Sequence, residues 1–296
     1  MEHSNEATKA AEMGNSETSS PKSALQSTTH SLHMVTLNTF GVPFLPNTRM
    51  RLRTVGRSLN VANLDVVCLQ EVQYSRYVPL LRQEFHSLPH AAFEPHVYAP
   101  KGGLLTLSRH PMRNAWFHPF KDRRLRLGPA VADWALYKGA MVAELGARAL
   151  PTIIVNTHLI ANYSNDWSRR NRYAQREHAQ AQELAALING LDRNSLVLLA
   201  GDFNFPQDSW VYEEFVLATG LIDPLAEQGM PTFRPPKIVP GVAPLPIDFV
   251  FVRPPLDIDM QIRARHLFGE HVEMLNGRRG YVSDHNAIRV DLTWSA

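Results

Sequence analysis

The chain is punctuated by strand-length runs that are apolar at almost every position and then stop on a polar residue. Val66-Val67-Cys68-Leu69 runs into Gln70-Glu71, and Thr152-Ile153-Ile154-Val155 runs into Asn156-Thr157-His158. Leu196-Val197-Leu198-Leu199-Ala200-Gly201 runs into Asp202 and, two residues on, Asn204. Runs this short, without polar alternation, read as strands covered on both faces rather than as helices. Longer amphipathic stretches alternate with them. Strands are expected at Met34–Asn38, Val66–Glu71, Gly103–Ser108, Ala135–Glu144, Thr152–Thr157, Leu196–Ala200, Ile247–Val252 and Ala287–Leu292. Helices are expected at Thr48–Val61, Ser75–Phe85, Arg169–Asn189 and Trp210–Ala218. In the long helix, Leu184, Leu187, Ile188 and Leu191 mark the apolar stripe. This alternation predicts an α/β protein with helices outside its sheets.

Residues 1–31 are rich in Ser, Thr and Glu and nearly free of large apolar side chains, so they read as a disordered tail. Residues 32–296 read as one domain. The 296 residues are 44% hydrophobic and 20% charged with a formal charge of +2, which excludes a disordered or collagen-like chain. That balance also argues against coating nucleic acid by bulk charge. Cys68 is the only cysteine, so no intramolecular disulfide can form. No apolar run is long enough to span a bilayer, and the N-terminus has no signal-like apolar core. The expectation is a cytoplasmic monomer with at most peripheral membrane contact.

The polar strand ends carry the functional signal. Asn38 ends the first strand, Glu71 the second and His158 the fifth; Asp202 and Asn204 follow the sixth, Asp248 opens the seventh, and Asp284-His285 precedes the last. Turn chemistry would explain any one of them. Together they bring carboxylates, amides and two histidines from six strands to strand ends, where open sheets build their sites. Glu71 and Asn38 offer hard oxygen ligands suited to Mg²⁺ or Mn²⁺. No zinc-spaced Cys/His set, Gly-rich phosphate loop or Gly-x-Ser-x-Gly turn is present. A hard cation beside imidazoles and an Asp/Asn pair is equipped for metal-assisted hydrolysis of a phosphate ester.

The segments Leu37-Asn38-Thr39-Phe40, Leu69-Gln70-Glu71-Val72, Asn156-Thr157-His158-Leu159, Gly201-Asp202-Phe203-Asn204, Ile247-Asp248-Phe249-Val250 and Ser283-Asp284-His285 resemble, in order, those of the endonuclease/exonuclease/phosphatase superfamily of Mg²⁺-dependent phosphoesterases. The opening Asn38-Thr39-Phe40-Gly41-Val42-Pro43-Phe44 with Arg49-Met50-Arg51 resembles the neutral sphingomyelinase branch. So do Gly102–Pro111 and the Asp133-to-Ala140 stretch with its Asp133 and Lys138. The resemblance implies a four-layer α/β sandwich, two packed mixed β-sheets flanked by helices.

It also implies roles. Glu71 would bind Mg²⁺, with Mn²⁺ able to substitute, while Asn38 orients it or acts through water, and Asp284 belongs to the metal environment. His285, its tautomer held by Asp248, would deprotonate the attacking water, a part that Asp202 could take instead. Otherwise Asp202 would orient the nucleophile, and His158 and Asn204 would bond the non-bridging oxygens. Asp133 and Lys138 would pair and gate the phosphate. The implied partner is a phosphodiester, with sphingomyelin giving ceramide and phosphocholine. A Mg²⁺-dependent nuclease or a small phosphate-ester phosphatase of the same fold is the alternative. Trp116–Phe120 and the apolar loop Ile238–Leu245 are the nearest substitutes for a bilayer-contacting element, and Lys121–Arg126 could attract an anionic substrate.

Overall fold

The computed structural model describes residues 28–121, 137–146, 150–235 and 242–295. In chain order these form β1 (Thr29–Asn38), α1 (Thr48–Asn60), β2 (Val66–Gln70), α2 (Tyr77–Glu84), β3 (His90–Ala92), β4 (Leu105–Ser108), β5 (Met112–Pro119), β6 (Gly139–Leu145) and β7 (Thr152–His158). Then come α3 (Arg172–Asn189), β8 (Leu196–Asp202), α4 (Trp210–Thr219), β9 (Asp248–Arg253), β10 (Met260–Leu267), β11 (Val272–Glu273), β12 (Arg279–Gly280) and β13 (Ala287–Ser295). One six-stranded sheet runs β10-β13-β1-β2-β4-β3, and one five-stranded sheet runs β5-β6-β7-β8-β9.

Each sheet contains a single parallel pair among otherwise antiparallel neighbours: β1 with β2, joined through α1, and β7 with β8, joined through α3. A parallel pair needs a long crossover, and an amphipathic helix supplies it. The two pairs face each other, so the strand runs sort by parity. Leu32, Met34, Val66, Cys68, Leu196, Leu198, Val250 and Val252 form the core between the sheets. Their odd-numbered neighbours Val35, Leu37, Val67 and Leu69 pack under α1 and α2. Val197, Leu199, Phe249 and Phe251 pack under α3 and α4. Burial on both faces is why these runs carry no polar alternation, and helix–sheet–sheet–helix is the four-layer sandwich expected.

Local chemistry sets the helices. Asn171 caps α3 by accepting from the amides of Tyr173 (2.8 Å) and Ala174 (3.3 Å), and Ser209 caps α4 through Tyr212 N–H at 3.3 Å. Gly56 on α1 lies where a Cβ would overlap Glu84, which lets α2 approach. There Glu84 takes Arg53 Nε at 2.6 Å and Arg57 Nε at 2.9 Å.

Several boundaries differ from expectation. β1 begins at Thr29, inside the stretch read as tail, because its first residues pair with the end of β13 and His30 stacks on Trp294 with ring centroids 5.8 Å apart. Residues 1–27 lie outside the described residues, as do 135 and 136 of the strand expected at Ala135–Glu144. β5 and β10 emerge where no strand was expected: both sit at sheet edges with exposed polar positions. The buried face of α3 runs through Glu177, Gln180, Ala181, Leu184 and Ile188, whereas Leu187 and Leu191 are only partly buried. No helix among the described residues is long and apolar enough to cross a membrane.

Candidate active site

The parity that sorts the core also builds the site. Continuing the inter-sheet positions of β1, β7, β8 and β9 gives Asn38, His158, Asp202 and Asp248, all buried. Register lines them up: Asn38 lies beside Gln70, and Asp202 lies beside both His158 and Asp248. Glu71 falls one residue past β2, where alternation would aim it toward the helices. Its left-handed backbone (φ 54°) turns it back toward Asn38. In the same way Phe203 and Phe205, fully buried under α3 and α4, anchor the chain so that Asp202 and Asn204 (φ 59°) stay on the open side. Gly41 completes the approach, because a Cβ there would overlap the carbonyl oxygen of Glu71.

Beneath these residues the two sheets are clasped by amides. Gln70 Nε2 donates to Asn156 Oδ1 at 2.8 Å, and Asn156 Nδ2 donates to Leu69 O at 3.2 Å. One layer above, Asn38 Nδ2 donates to Asp202 Oδ2 at 2.8 Å and to Glu71 Oε1 at 3.1 Å. Its Oδ1 accepts from Phe40 N–H at 3.0 Å, so here Asn38 orients two carboxylates from opposite sheets.

Glu71, His158 and Asp202 place one ligand atom each within 4.8 Å of one another, and Asp202, Asp248 and His285 form a second such group. His285 Nδ1 pairs with Asp248 Oδ2 at 2.8 Å, leaving Nε2 facing Asp202 Oδ2 at 3.9 Å. His158 Nε2 lies 3.5 Å from the same oxygen. Asn204 N–H donates to Asp202 Oδ1 at 3.0 Å, and its side-chain amide donates to Leu159 O at 3.0 Å. Asp284 Oδ1 accepts from Ser283 Oγ at 3.2 Å, and its charge is felt at Glu71. Lys138 is buried just ahead of β6, whose Gly139 pairs with His158, and its charge acts on Glu71, His158 and Asp202. Asp133 lies outside the described residues, as does 122–126 of the basic stretch.

The electrostatics are those of crowded acids. Burial, then the charge of Asp284, pushes the Glu71 carboxyl up. Burial, then Asp248, pushes Asp202 up to about 7. Burial alone would lower His285, but its bonded Asp248, with Asp202 and Asp284, raises it to about 10. Burial, then Lys138 and His285, holds His158 well below the usual range, as a neutral imidazole. Carboxylates with raised proton affinity, gathered within ligand distance of one another, are a donor set that a hard divalent cation would relieve; Mg²⁺ or Mn²⁺ fits it.

These groups floor a cavity of about 510 Å³. Its walls include Phe40, Val242 and Leu245, and three residues that sequence reading passed over, Tyr163, Trp167 and Phe233. Val242 and Leu245 come from the apolar loop Ile238–Leu245, of which 238–241 lie outside the described residues. Trp116 instead lies on the edge strand β5, partly exposed.

Comparison with known proteins bears on the family and the fold. A Drosophila melanogaster relative, a neutral sphingomyelinase by name, is 28% identical over 273 residues, covering 88% of this chain and 60% of its own length. Sphingomyelin phosphodiesterase 2 of Mus musculus is 31% identical over 185 residues, covering 60% of this chain and 42% of its own. The chain thus spans about half the length of these curated relatives. In fold, a Staphylococcus aureus beta toxin variant with bound magnesium ions superposes with a TM-score of 0.67 at 14% identity, over 88% of this chain and 99% of the other. Residues 35–285 match the model of the Endonuclease/Exonuclease/phosphatase family, and the chain belongs to that family.

Proposed function

We propose that this chain is a Mg²⁺-dependent phosphodiesterase, with Mn²⁺ able to substitute, that hydrolyses sphingomyelin-like phospholipid to a ceramide-type alcohol and phosphocholine. The observation that carries this reading is the His285–Asp248 pair at 2.8 Å, with its free imidazole face toward the Glu71–His158–Asp202 group. Glu71, with Asp202 and Asp284 beside it, would hold the cation. Bound there, the cation would neutralise charge growing on the phosphate oxygens and weaken the hold of His285 on its proton. Asp248 fixes the His285 tautomer, so that Nε2 accepts the proton of the attacking water. Asp202, held by Asn38 and the amide of Asn204, orients that water in line with the leaving alkoxide. His158, kept neutral by burial and by Lys138, donates to a non-bridging oxygen together with Asn204, and the Lys138 ammonium offsets phosphate charge.

The substrate class is supported by the apolar cavity wall of Phe40, Val42, Phe233, Val242 and Leu245, and by likeness to sphingomyelinases. In this reading the protein works as a cytoplasmic monomer on phospholipid presented at a membrane surface. The test is purified protein with Mg²⁺ against sphingomyelin vesicles, lysophospholipid, DNA, RNA and inositol phosphates. Phosphocholine release exceeding every other product is expected. Cleavage of DNA or RNA above that of sphingomyelin would move the protein to the nuclease alternative.

A further inference from the structure

The turn that carries His285 is held by one residue from a distant part of the chain. Arg234 N–H donates to Asp284 O at 2.8 Å, and Arg234 Nη2 donates to Ser283 O at 2.8 Å and to His285 O at 3.3 Å. Three consecutive carbonyls therefore end on Arg234. On its other side the guanidinium lies over the Tyr281 ring, 4.1 Å from the centroid, which fixes its plane. The preceding residues serve the same pair. Phe233 packs on the His285 ring with centroids 5.1 Å apart, and Thr232 Oγ1 accepts from Asp248 N–H at 3.0 Å. Phe233 lines the cavity, and Arg234 sits behind it.

Arg234 is an expensive way to hold a turn. Its Nε and Nη1 are buried without a hydrogen-bond partner among the described residues, so part of its desolvation cost is not recovered. A substitution by an apolar residue of similar bulk would cover the same surface at lower cost. What such a residue could not do is bridge the two carbonyls on either side of Asp284 from the two protons of one planar nitrogen, Nη2. That bridge sets where the His285 ring leaves the backbone, and hence its reach to Asp202 and to the substrate.

We propose that Arg234 is a positioning residue for His285, fixing the Ser283–His285 turn so that the imidazole stands in line for proton transfer. The proposal rests on the reading of His285 as the proton acceptor. Its test is steady-state hydrolysis of bis(p-nitrophenyl) phosphate with Mg²⁺ by wild type, Arg234→Ala, Arg234→Lys and His285→Ala, with melting temperatures measured in parallel. Misplacement of a reacting group by about an ångström costs on the order of 10²-fold, so Arg234→Ala should lose about that much kcat with KM unchanged. Added guanidinium ion, below denaturing concentration, should restore part of that kcat, and ethylammonium should not. A folded Arg234→Ala with wild-type kcat, or with a loss that guanidinium leaves untouched, overturns the proposal. If Arg234→Ala does not fold, Arg234→Lys carries the test: a lowered kcat with unchanged KM supports positioning, and full kcat overturns it. An inactive His285→Ala beside a fully active Arg234→Ala removes the positioning role alone. An active His285→Ala removes the reading of the site, and this proposal with it.

Discussion

The two ends of the same strands use titratable residues in opposite ways. At the end away from the cavity, His33 Nδ1 meets Asp291 at 2.7 Å, His110 Nε2 meets Asp65 at 2.9 Å, and Asp65 also takes the His33 amide at 2.8 Å. Arg289 reaches Asp291 through Nε at 2.8 Å and Ala62 O through Nη1 at 2.9 Å. At the cavity end, three acids and two histidines crowd together, and His158 Nδ1 and Asp248 Oδ1 stay buried without partners among the described residues. Pairing that balances charge and hydrogen bonds is what a fold needs to close. Unbalanced charge held rigidly in a cavity is what a reaction needs, and it persists only because the clasped strands over-determine it.

The sharpest way to break this contrast is to remove the balancing ion. Chelation with EDTA should abolish phosphodiester hydrolysis and Mg²⁺ or Mn²⁺ should restore it better than Ca²⁺. Full turnover in excess chelator would leave the crowded acids without a purpose, and Glu71→Gln should raise the metal concentration needed for half-maximal rate. Next in size, His285→Ala and His158→Ala should each lower kcat by about 10²–10⁴-fold while melting close to wild type. Near wild-type turnover in either folded variant would return that histidine to a plain core role. Gly41→Ala should cost about 10²-fold in kcat, since the new methyl must push the Asn38 and Glu71 loops apart. An unaffected rate there would mean that the loops have room to spare.

The smallest effect belongs to the paired end. Burial would raise the Asp291 carboxyl, but hydrogen bonds from Arg289 and His33 outweigh it and hold the group below the usual aspartate range. A carboxyl lowered by folding stabilises the protein above its unfolded value, about pH 3.9, and loses that contribution as pH falls through the folded value. Asp291→Asn should therefore melt lower than wild type at neutral pH by an amount worth about 0.2–1 kcal/mol. The gap should close on acidification, with turnover unchanged at every pH. A gap that widens in acid, or a loss of activity, would erase the distinction between the two ends.

How much of this could be read from sequence follows from burial. Val66–Leu69, Thr152–Val155 and Leu196–Ala200 announce themselves because both faces are dry; His158 and Asp202 then land on the site by the same two-residue period, whereas Glu71 reaches it only through its left-handed backbone. β5 was hidden because Arg113 and Asn114 face water at a sheet edge, while β10 does alternate, Met260, Ile262 and Ala264 against Gln261, Arg263 and Arg265, a half-buried edge pattern that stands out less than the fully apolar runs. The apolar stripe Leu184, Leu187, Ile188 and Leu191 does not reveal that the interior face of α3 also takes in Glu177 and Gln180, polar side chains whose burial depends on neighbours distant in sequence; Gln180 Oε1 takes Ile160 N–H at 2.8 Å. The cavity walls had no periodicity to betray them. Phe233 and Leu245 meet through a bridge that no local pattern encodes. Arg234 reads as an ordinary surface charge until the fold brings it to the His285 turn.

Strand parity has one more consequence, for how a chain like this can change. Inserting a single residue within β8 would exchange Leu199 for Ala200 on the inter-sheet face and swing Asp202 toward α3, so reaction chemistry tolerates no odd-length indel in these strands. The loop segments that wall the cavity at 161–167 and 242–245 obey no such arithmetic and can lengthen, shorten or be rewritten. Heredity can thus edit what enters the cavity on one track and what happens inside it on another, with the strands acting as a reading frame for the chemistry.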